Sequence, residues 1–216
     1  MKVTAIIFDL DGTILENEDV YGAAFKKVLQ TLGARNVPER PHIGGIGVRE
    51  NWPKLITHYN IHTDKTIEEL TAHTQEEYLG NFSKVHLKSG FFNFIKDLRD
   101  SGVLTALATS NAWWLVERDL DEFKIHEYFD VVTTGEEVDE TKPAPDLFLE
   151  AAKKLDVEPE NCVVIEDAPS GILAAKRAGM KAIAILNNGT SAKDFPKADA
   201  VIESFEEITP ELLNSL

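Results

Sequence analysis

Short apolar runs alternate with amphipathic helical patterns along most of this chain, and that rhythm admits few folds. The runs cover residues 3–8, 103–108, 131–133, 162–165, 182–186 and, more weakly, 200–202. They are brief and largely apolar, as strands covered by helices on both faces are. Between them, Phe91, Phe94, Ile95 and Leu98 form a helical stripe closed by Gly102. Leu147, Phe148, Ala151, Ala152 and Leu155 form another, opened by Pro145, and a third helix follows Pro169-Ser170 and stops at Gly179. The pattern predicts an α/β fold built on a parallel sheet.

The segment from 15 to 85 breaks the rhythm. It carries helical patterns and no convincing strand. Val20, Ala24, Val28 and Leu32 recur every fourth residue, Gly33 ends that run, and further helical segments cover 49–58 and 65–79. A helical block between the first and second strands reads as a cap over the carboxyl edge of the sheet, where ligands bind in open α/β proteins. The expected organisation is a core of 1–14 and 86–216 with a helical cap of 15–85. The flanks, 14–17 and 83–89, are the hinge candidates.

Composition narrows the partners. The 216 residues carry 22 Lys+Arg against 37 Asp+Glu, a net charge of −15. Such a field repels nucleic acid and anionic membranes, so neither is an expected partner. An anionic substrate would need local positive charge from a metal, a lysine or helix N-termini. Cys162 is the only cysteine, which excludes an intramolecular disulfide and a cysteine-based zinc cluster. No signal-peptide pattern opens the chain, and no apolar run approaches the ~20 residues of a membrane-spanning helix. A cytoplasmic setting follows as the expectation; a monomer is compatible with the sequence, which does not fix the oligomeric state.

Four sites at the ends of these runs carry complementary chemistry. Phe8-Asp9-Leu10-Asp11-Gly12-Thr13-Ile14 places two carboxylates two residues apart, on one side of an extended chain. Each perturbs the other's charge, and a divalent cation relieves the repulsion. Thr109-Ser110-Asn111 offers hydroxyls and backbone N–H groups before a helix opening near Trp113, a setting suited to phosphate. Thr141-Lys142-Pro143-Ala144-Pro145 holds one lysine before a helix, and Glu166-Asp167-Ala168-Pro169-Ser170-Gly171 supplies a second acidic pair. Taken singly, the last three have ordinary explanations as a helix cap, a solvated loop charge and a capping turn. Their order along one α/β pattern makes them a constellation.

Together these four motifs resemble those of the haloacid dehalogenase superfamily, in the branch whose helical cap follows the first motif. The resemblance covers essentially the whole chain. It implies a Rossmann-like parallel sheet core with an inserted α-helical cap domain, and Mg²⁺ as cofactor. By the resemblance, Asp9 is the nucleophile and forms an aspartyl-phosphate. Asp11 is the general acid and base, Lys142 pairs with Asp9 and the phosphate, and Thr109 hydrogen-bonds a phosphate oxygen. The metal ligands would be Asp9, Asp167, the backbone carbonyl of Asp11, and Glu166 directly or through water. Dehalogenases and phosphonatases of the superfamily lack an acid at the Asp11 position, which argues against both reactions.

The overall pattern is similar to the β-phosphoglucomutase-like subgroup, which includes sugar phosphatases as well as mutases. Its mutases use a cap histidine, a lysine and an arginine. Here Tyr21 and Gly44 replace the first two, and only Arg49 remains. The expected activity is therefore phosphatase action on a small phosphorylated metabolite, with sugar phosphates among the candidates. A hexose-phosphate mutase and a catalytically silent binding protein are the alternatives. Substrate contacts are expected from Ser110 and Asn111 on the core side, and from Asn17, Tyr21, Gly45 and Arg49 on the cap side. Of Trp113 and Trp114, one is expected in the core and the other along the cleft.

Overall fold

The computed structural model describes residues 3–187 and 189–216. Its centre is a six-stranded sheet in which every pairing is parallel. In chain order the strands are β1 (Ala5–Phe8), β4 (Leu104–Ala108), β5 (Val131–Thr133), β6 (Cys162–Glu166), β7 (Lys181–Ile185) and β8 (Ala200–Ile202). The spatial order is β5-β4-β1-β6-β7-β8. The chain thus steps outward on one side of β1 and then returns to build the other side. The crevice at β1, where direction reverses, is the switch point at which open α/β sheets take ligands. All six sequence-predicted strands form, two with the expected boundaries and four with one or both ends shifted by one or two residues.

Strand alternation divides the interior into two unlike halves. Ile6, Phe8, Leu107, Val163, Ile165, Ile183 and Ile185 point to one face and join one large apolar cluster. That cluster includes Phe91, Phe94, Ile95 and Leu98 of helix α4 (Phe91–Ser101) and Leu115, Val116 and Leu120 of α5 (Trp113–Phe123). Ala5, Ile7, Ala106, Ala108, Cys162, Val164, Ala182 and Ala184 point to the other face. They meet Ala151 and Ala152 of α6 (Asp146–Lys154), and Ala174 and Ala175 of α7 (Pro169–Arg177). Small side chains on both partners let these two helices lie close to the sheet. Gly102, at φ +75°, ends α4 in the left-handed conformation that its missing Cβ permits.

Helices α1 (Glu18–Thr31), α2 (Val48–Tyr59) and α3 (Ile67–Leu79) fill the segment between the first and second sheet strands. Trp52 and Tyr78 are fully buried at their centre, and the Trp52 indole N–H donates to Thr74 Oγ1 at 3.1 Å. A short antiparallel ribbon, β2 (Leu15–Glu16) paired with β3 (His86–Leu87), joins the two ends of the segment. No strand was expected at residues 15–16; two residues are too short to show a period of two. Helix α8 (Pro210–Ser215) closes the chain. Among the described residues no helix is long and apolar enough to cross a membrane.

Candidate active site

Three of the four motif sites leave the sheet directly at its carboxyl edge. Asp9 follows β1, its N–H donating to Ile165 O of β6 at 3.0 Å, and Thr109 follows β4, its N–H donating to Thr133 O at 3.0 Å. Glu166 ends β6 and Asp167 follows it. Lys142 departs from the expectation that each site directly follows a strand. It sits in the loop before α6, beyond a 3-10 turn at Gly135–Glu137, and reaches back into the crevice.

Lys142 is buried and binds both carboxylates around it. Its Nζ donates to Asp9 Oδ1 in a very short contact and to Glu166 Oε1 at 2.8 Å. Burial pulls the ammonium's pKa down, but Asp9 and Glu166 outweigh that and hold it above the ordinary lysine value. Glu166 Oε2 accepts the Ala168 N–H at 2.7 Å, so both its oxygens are engaged. Asp167 takes the Thr13 hydroxyl on Oδ1 at 3.3 Å and the Asn187 amide on Oδ2 at 2.6 Å.

Asp9, Glu166 and Asp167 present carboxylate oxygens that all lie within 4.8 Å of one another. Burial raises the pKa of all three: Glu166 reaches about 7 despite Lys142, and Asp167 is pushed well up by burial and by Glu166 beside it. Three buried carboxylates, two of them bound to one lysine, form a set of hard oxygen donors. That set fits a divalent cation. Two glycines make room for it. A Cβ at Gly12, whose φ is +75°, would fall 2.1 Å from Asp167 Oδ2, and one at Gly171 would crowd Glu166 Oε1. Asp11 contributes no side-chain oxygen to the cluster; its backbone carbonyl is the ligand expected from the sequence.

The Asp11 carboxyl turns instead toward two amides. Asn17 Nδ2 donates to Oδ1 at 2.6 Å and Asn111 Nδ2 to Oδ2 at 2.7 Å. Asn17 also accepts the Gly12 N–H at 3.0 Å, which pins the turn after β1. Burial, with Asp9 and Asp119 nearby, raises the Asp11 pKa well above the ordinary carboxyl range. That shift favours the protonated form, which is the form a proton donor needs.

Of the other expected contacts, Tyr21 stands over the crevice, stacked on Tyr78 with ring centroids 4.1 Å apart, and its hydroxyl accepts from Asn111 at 3.5 Å. Thr109 is buried and its Oγ1 accepts the Asn111 N–H at 3.2 Å. Ser110 Oγ is shielded and has no partner, which leaves it available to a phosphate. The N–H of Trp113, the first residue of α5, is occupied by Glu136 Oε2 at 2.8 Å. Gly45, at φ +74°, packs on the fourth motif: a Cβ there would meet Ala168 Cβ at 2.5 Å and Ser170 Oγ at 2.6 Å. Ser170 in turn donates to Gly44 O at 3.3 Å.

Arg49 is not brought to the site. It lies on the exposed side of α2, paired with Glu68 of α3 at 3.0 Å. Trp113 and Trp114 are both exposed, at 38% and 46%, so neither enters the core.

Sequence reasoning missed four groups. Lys88 and Asn187 stand behind Asp167, with Lys88 Nζ 2.5 Å from Asn187 Oδ1. His42 and Glu18 form a pair at 2.9 Å, and His42 is stacked on Phe25 and lines the crevice with Asp9, Asp11 and Thr109. Asp119 is fully buried on α5 with neither carboxylate oxygen partnered. Tyr78 accepts from Asn17 at 3.1 Å. None belongs to a motif. Only the position of Lys88 within a predicted hinge gave any signal.

A parallel sheet whose switch point gathers a lysine, three clustered carboxylates and a separately held carboxyl defines an α/β phosphoryl-transfer hydrolase. Residues 6–185 match the model of the haloacid dehalogenase-like hydrolases, and the chain belongs to that family. It is 30% identical over 223 residues to Protein CbbY of Cereibacter sphaeroides, covering 95% of this chain and 94% of that one. It is also 30% identical over 200 residues to the phosphorylated carbohydrates phosphatase of Thermotoga maritima, covering 91% and 92%. The crystal structure of CbbY from Rhodobacter sphaeroides in complex with phosphate superposes with a TM-score of 0.86 at 29% identity, covering 98% of this chain and 99% of that one. With that family and those relatives, the protein is a phosphatase.

Proposed function

We propose that the protein hydrolyses small phosphorylated metabolites, sugar phosphates foremost, with Mg²⁺ as its metal and an aspartyl-phosphate on Asp9 as its intermediate. The observation that carries this reading is the division of labour between two aspartates of one turn. Asp9 faces Lys142 and the acidic cluster, while Asp11 is held away from it by two amides. The name of the Thermotoga maritima relative supports phosphorylated carbohydrates as the substrate class.

Asp9, Asp167 and the Asp11 carbonyl, with Glu166 behind, would hold Mg²⁺, which would supply the positive charge that lets a carboxylate approach a phosphate dianion. Lys142 adds a second positive charge and fixes the Asp9 rotamer. Asp9 Oδ attacks phosphorus as the phosphorus–oxygen bond to the leaving alcohol breaks, and Asp11 gives that alkoxide its proton. Asp11, now a carboxylate, takes a proton from water, whose oxygen attacks the phosphorus and frees Asp9. Thr109 and Ser110 hold phosphate oxygens throughout.

The segment from 15 to 85 acts in this reading as the unit that selects the alcohol. Tyr21, His42 and the loop 43–47 line the crevice with Asp9 and Asp11. The void left between them is about 30 Å³, room for roughly one water. Substrate entry therefore requires the segment to swing away, and the ribbon of β2 and β3 is where it turns.

The test is a panel of phosphorylated metabolites assayed for released phosphate with Mg²⁺ and with EDTA. Phosphate release that EDTA abolishes is the expected result. Isomerised sugar without released phosphate overturns hydrolysis in favour of a mutase, and inactivity on the whole panel favours a binding protein.

A further inference from the structure

Lys88 is a buried lysine outside every motif. It is 6% exposed, and its Nζ donates to Leu186 O at 3.1 Å and to Asn187 Oδ1 at 2.5 Å. Asn187 passes the contact on: its Nδ2 donates to Asp167 Oδ2 at 2.6 Å. One side of the Asn187 amide thus faces a cation and the other a carboxylate, an orientation that fixes which end is oxygen and which nitrogen. The other wall behind Asp167 is Gly12, whose missing Cβ leaves the space that Asp167 Oδ2 and Asn187 Nδ2 occupy.

Burying a lysine is costly in rotamer entropy and in lost hydration. A carbonyl at the end of β7 does not by itself offset that; a methionine would fill the same volume. What distinguishes the location is the negative charge a single amide away. The backbone of Lys88 is anchored too, its N–H donating to Ile14 O at 2.8 Å just after the first motif. The side chain therefore starts from a fixed point beside the ribbon of β2 and β3 and ends against the residue that holds Asp167.

We infer that Lys88 and Asn187 are a positioning pair that sets the orientation of Asp167 and so the affinity of the acidic cluster for its divalent cation. The inference rests on the proposed metal role of Asp9, Glu166 and Asp167. With Oδ2 taken by Asn187, Asp167 Oδ1, which has only the longer 3.3 Å bond from Thr13, is the freer oxygen for a cation. Without Lys88 the Asn187 amide loses the partner that orients it, and Asp167 gains a second rotamer. Outer partners of this kind change metal affinity by roughly 10–100-fold when removed.

Titration calorimetry of Mg²⁺ into the metal-free full chain tests it, without any substrate. The variants are Lys88→Met, Asn187→Leu and the two combined, each checked by circular dichroism in EDTA. Each single variant should bind Mg²⁺ about 10–100-fold more weakly. The double variant should bind no more weakly than the worse single one, because both act along one chain of contacts. Hydrolysis by each should return toward the wild-type rate at saturating Mg²⁺. Wild-type affinity in a folded Lys88→Met protein overturns the inference; if that variant does not fold, wild-type affinity in Asn187→Leu does so. Wild-type protein that binds no Mg²⁺ overturns the metal reading and the inference with it, and is distinguished by its occurrence without any substitution.

Discussion

Gly171 and Glu166 lie so close that a Cβ at position 171 would fall 1.8 Å from Glu166 Oε1. Gly171 is in the first turns of α7, where alanine would ordinarily stabilise the helix by about 1 kcal/mol. Here the sign should reverse. In Gly171→Ala the carboxylate that accepts from Lys142 and Ala168 must move. We expect the melting temperature to fall, and the Mg²⁺ concentration for half-maximal hydrolysis to rise about 10-fold or more. A variant more stable than wild type with an unchanged Mg²⁺ requirement would show that the contact is slack.

Asp9→Asn preserves shape and one acceptor oxygen while removing the attacking charge. Hydrolysis should drop by about 10³-fold or more, with the circular dichroism spectrum unchanged. Near-normal turnover would sink the nucleophile assignment. No phosphoenzyme should form in this variant, which rapid acid quench with labelled substrate can establish directly.

The buried Asp119 makes a prediction about stability against pH. Burial pushes its carboxyl up to about 7, with Arg118 offsetting only part of the effect. The folded state therefore holds this proton more tightly than the unfolded chain, whose carboxyl titrates near 3.8. Its contribution is fully present below about pH 4 and is lost as pH rises toward 7. Asp119→Asn removes that loss. Its stability advantage should be small at pH 4 and grow to about 3–4 kcal/mol by pH 8, as measured by urea unfolding. A difference that stays flat with pH would contradict the burial argument.

Asn17 separates orientation of the proton donor from metal binding. Asn17→Ala removes one of the two amides on Asp11 and the Asn17 acceptor of the Gly12 N–H, which keeps Leu15 O at 2.9 Å. The loss should cost about 1–3 kcal/mol in stability and slow hydrolysis about 10-fold or more, with Mg²⁺ affinity falling far less than turnover. Calorimetry and kcat on one preparation read both. Equal losses in the two would mean that Asn17 supports the turn as a whole.

The sheet was legible because its strands are apolar on both faces and end in punctuating motifs. Asp9, Lys142, Glu166 and Asp167 were legible for the same reason, since strand ends and one loop deliver them to a single edge. Arg49 was not. A helical position alone does not say which way a side chain turns, and Glu68 of α3 draws it outward. Trp113 and Trp114 misled through size, because large aromatics are expected inside. Asn187 and the pairing of Glu18 with His42 left no linear signal, and Lys88 left only its place in a hinge candidate. Each gains meaning only from a partner between 24 and 99 residues away, in contacts that the fold alone creates.

The alanine-lined face of the sheet bears on how such a protein can diversify. Ala106, Ala108, Ala182 and Ala184 sit against Ala151, Ala152, Ala174 and Ala175, and those helices follow directly on Lys142 and Glu166. One added methyl on that side would push a helix outward and carry a catalytic group with it. The opposite face, built from leucine, isoleucine and phenylalanine, can exchange shapes at nearly constant volume. Mutational freedom is therefore lopsided: the large-residue face can vary, while the alanine-lined side stays locked by its smallness.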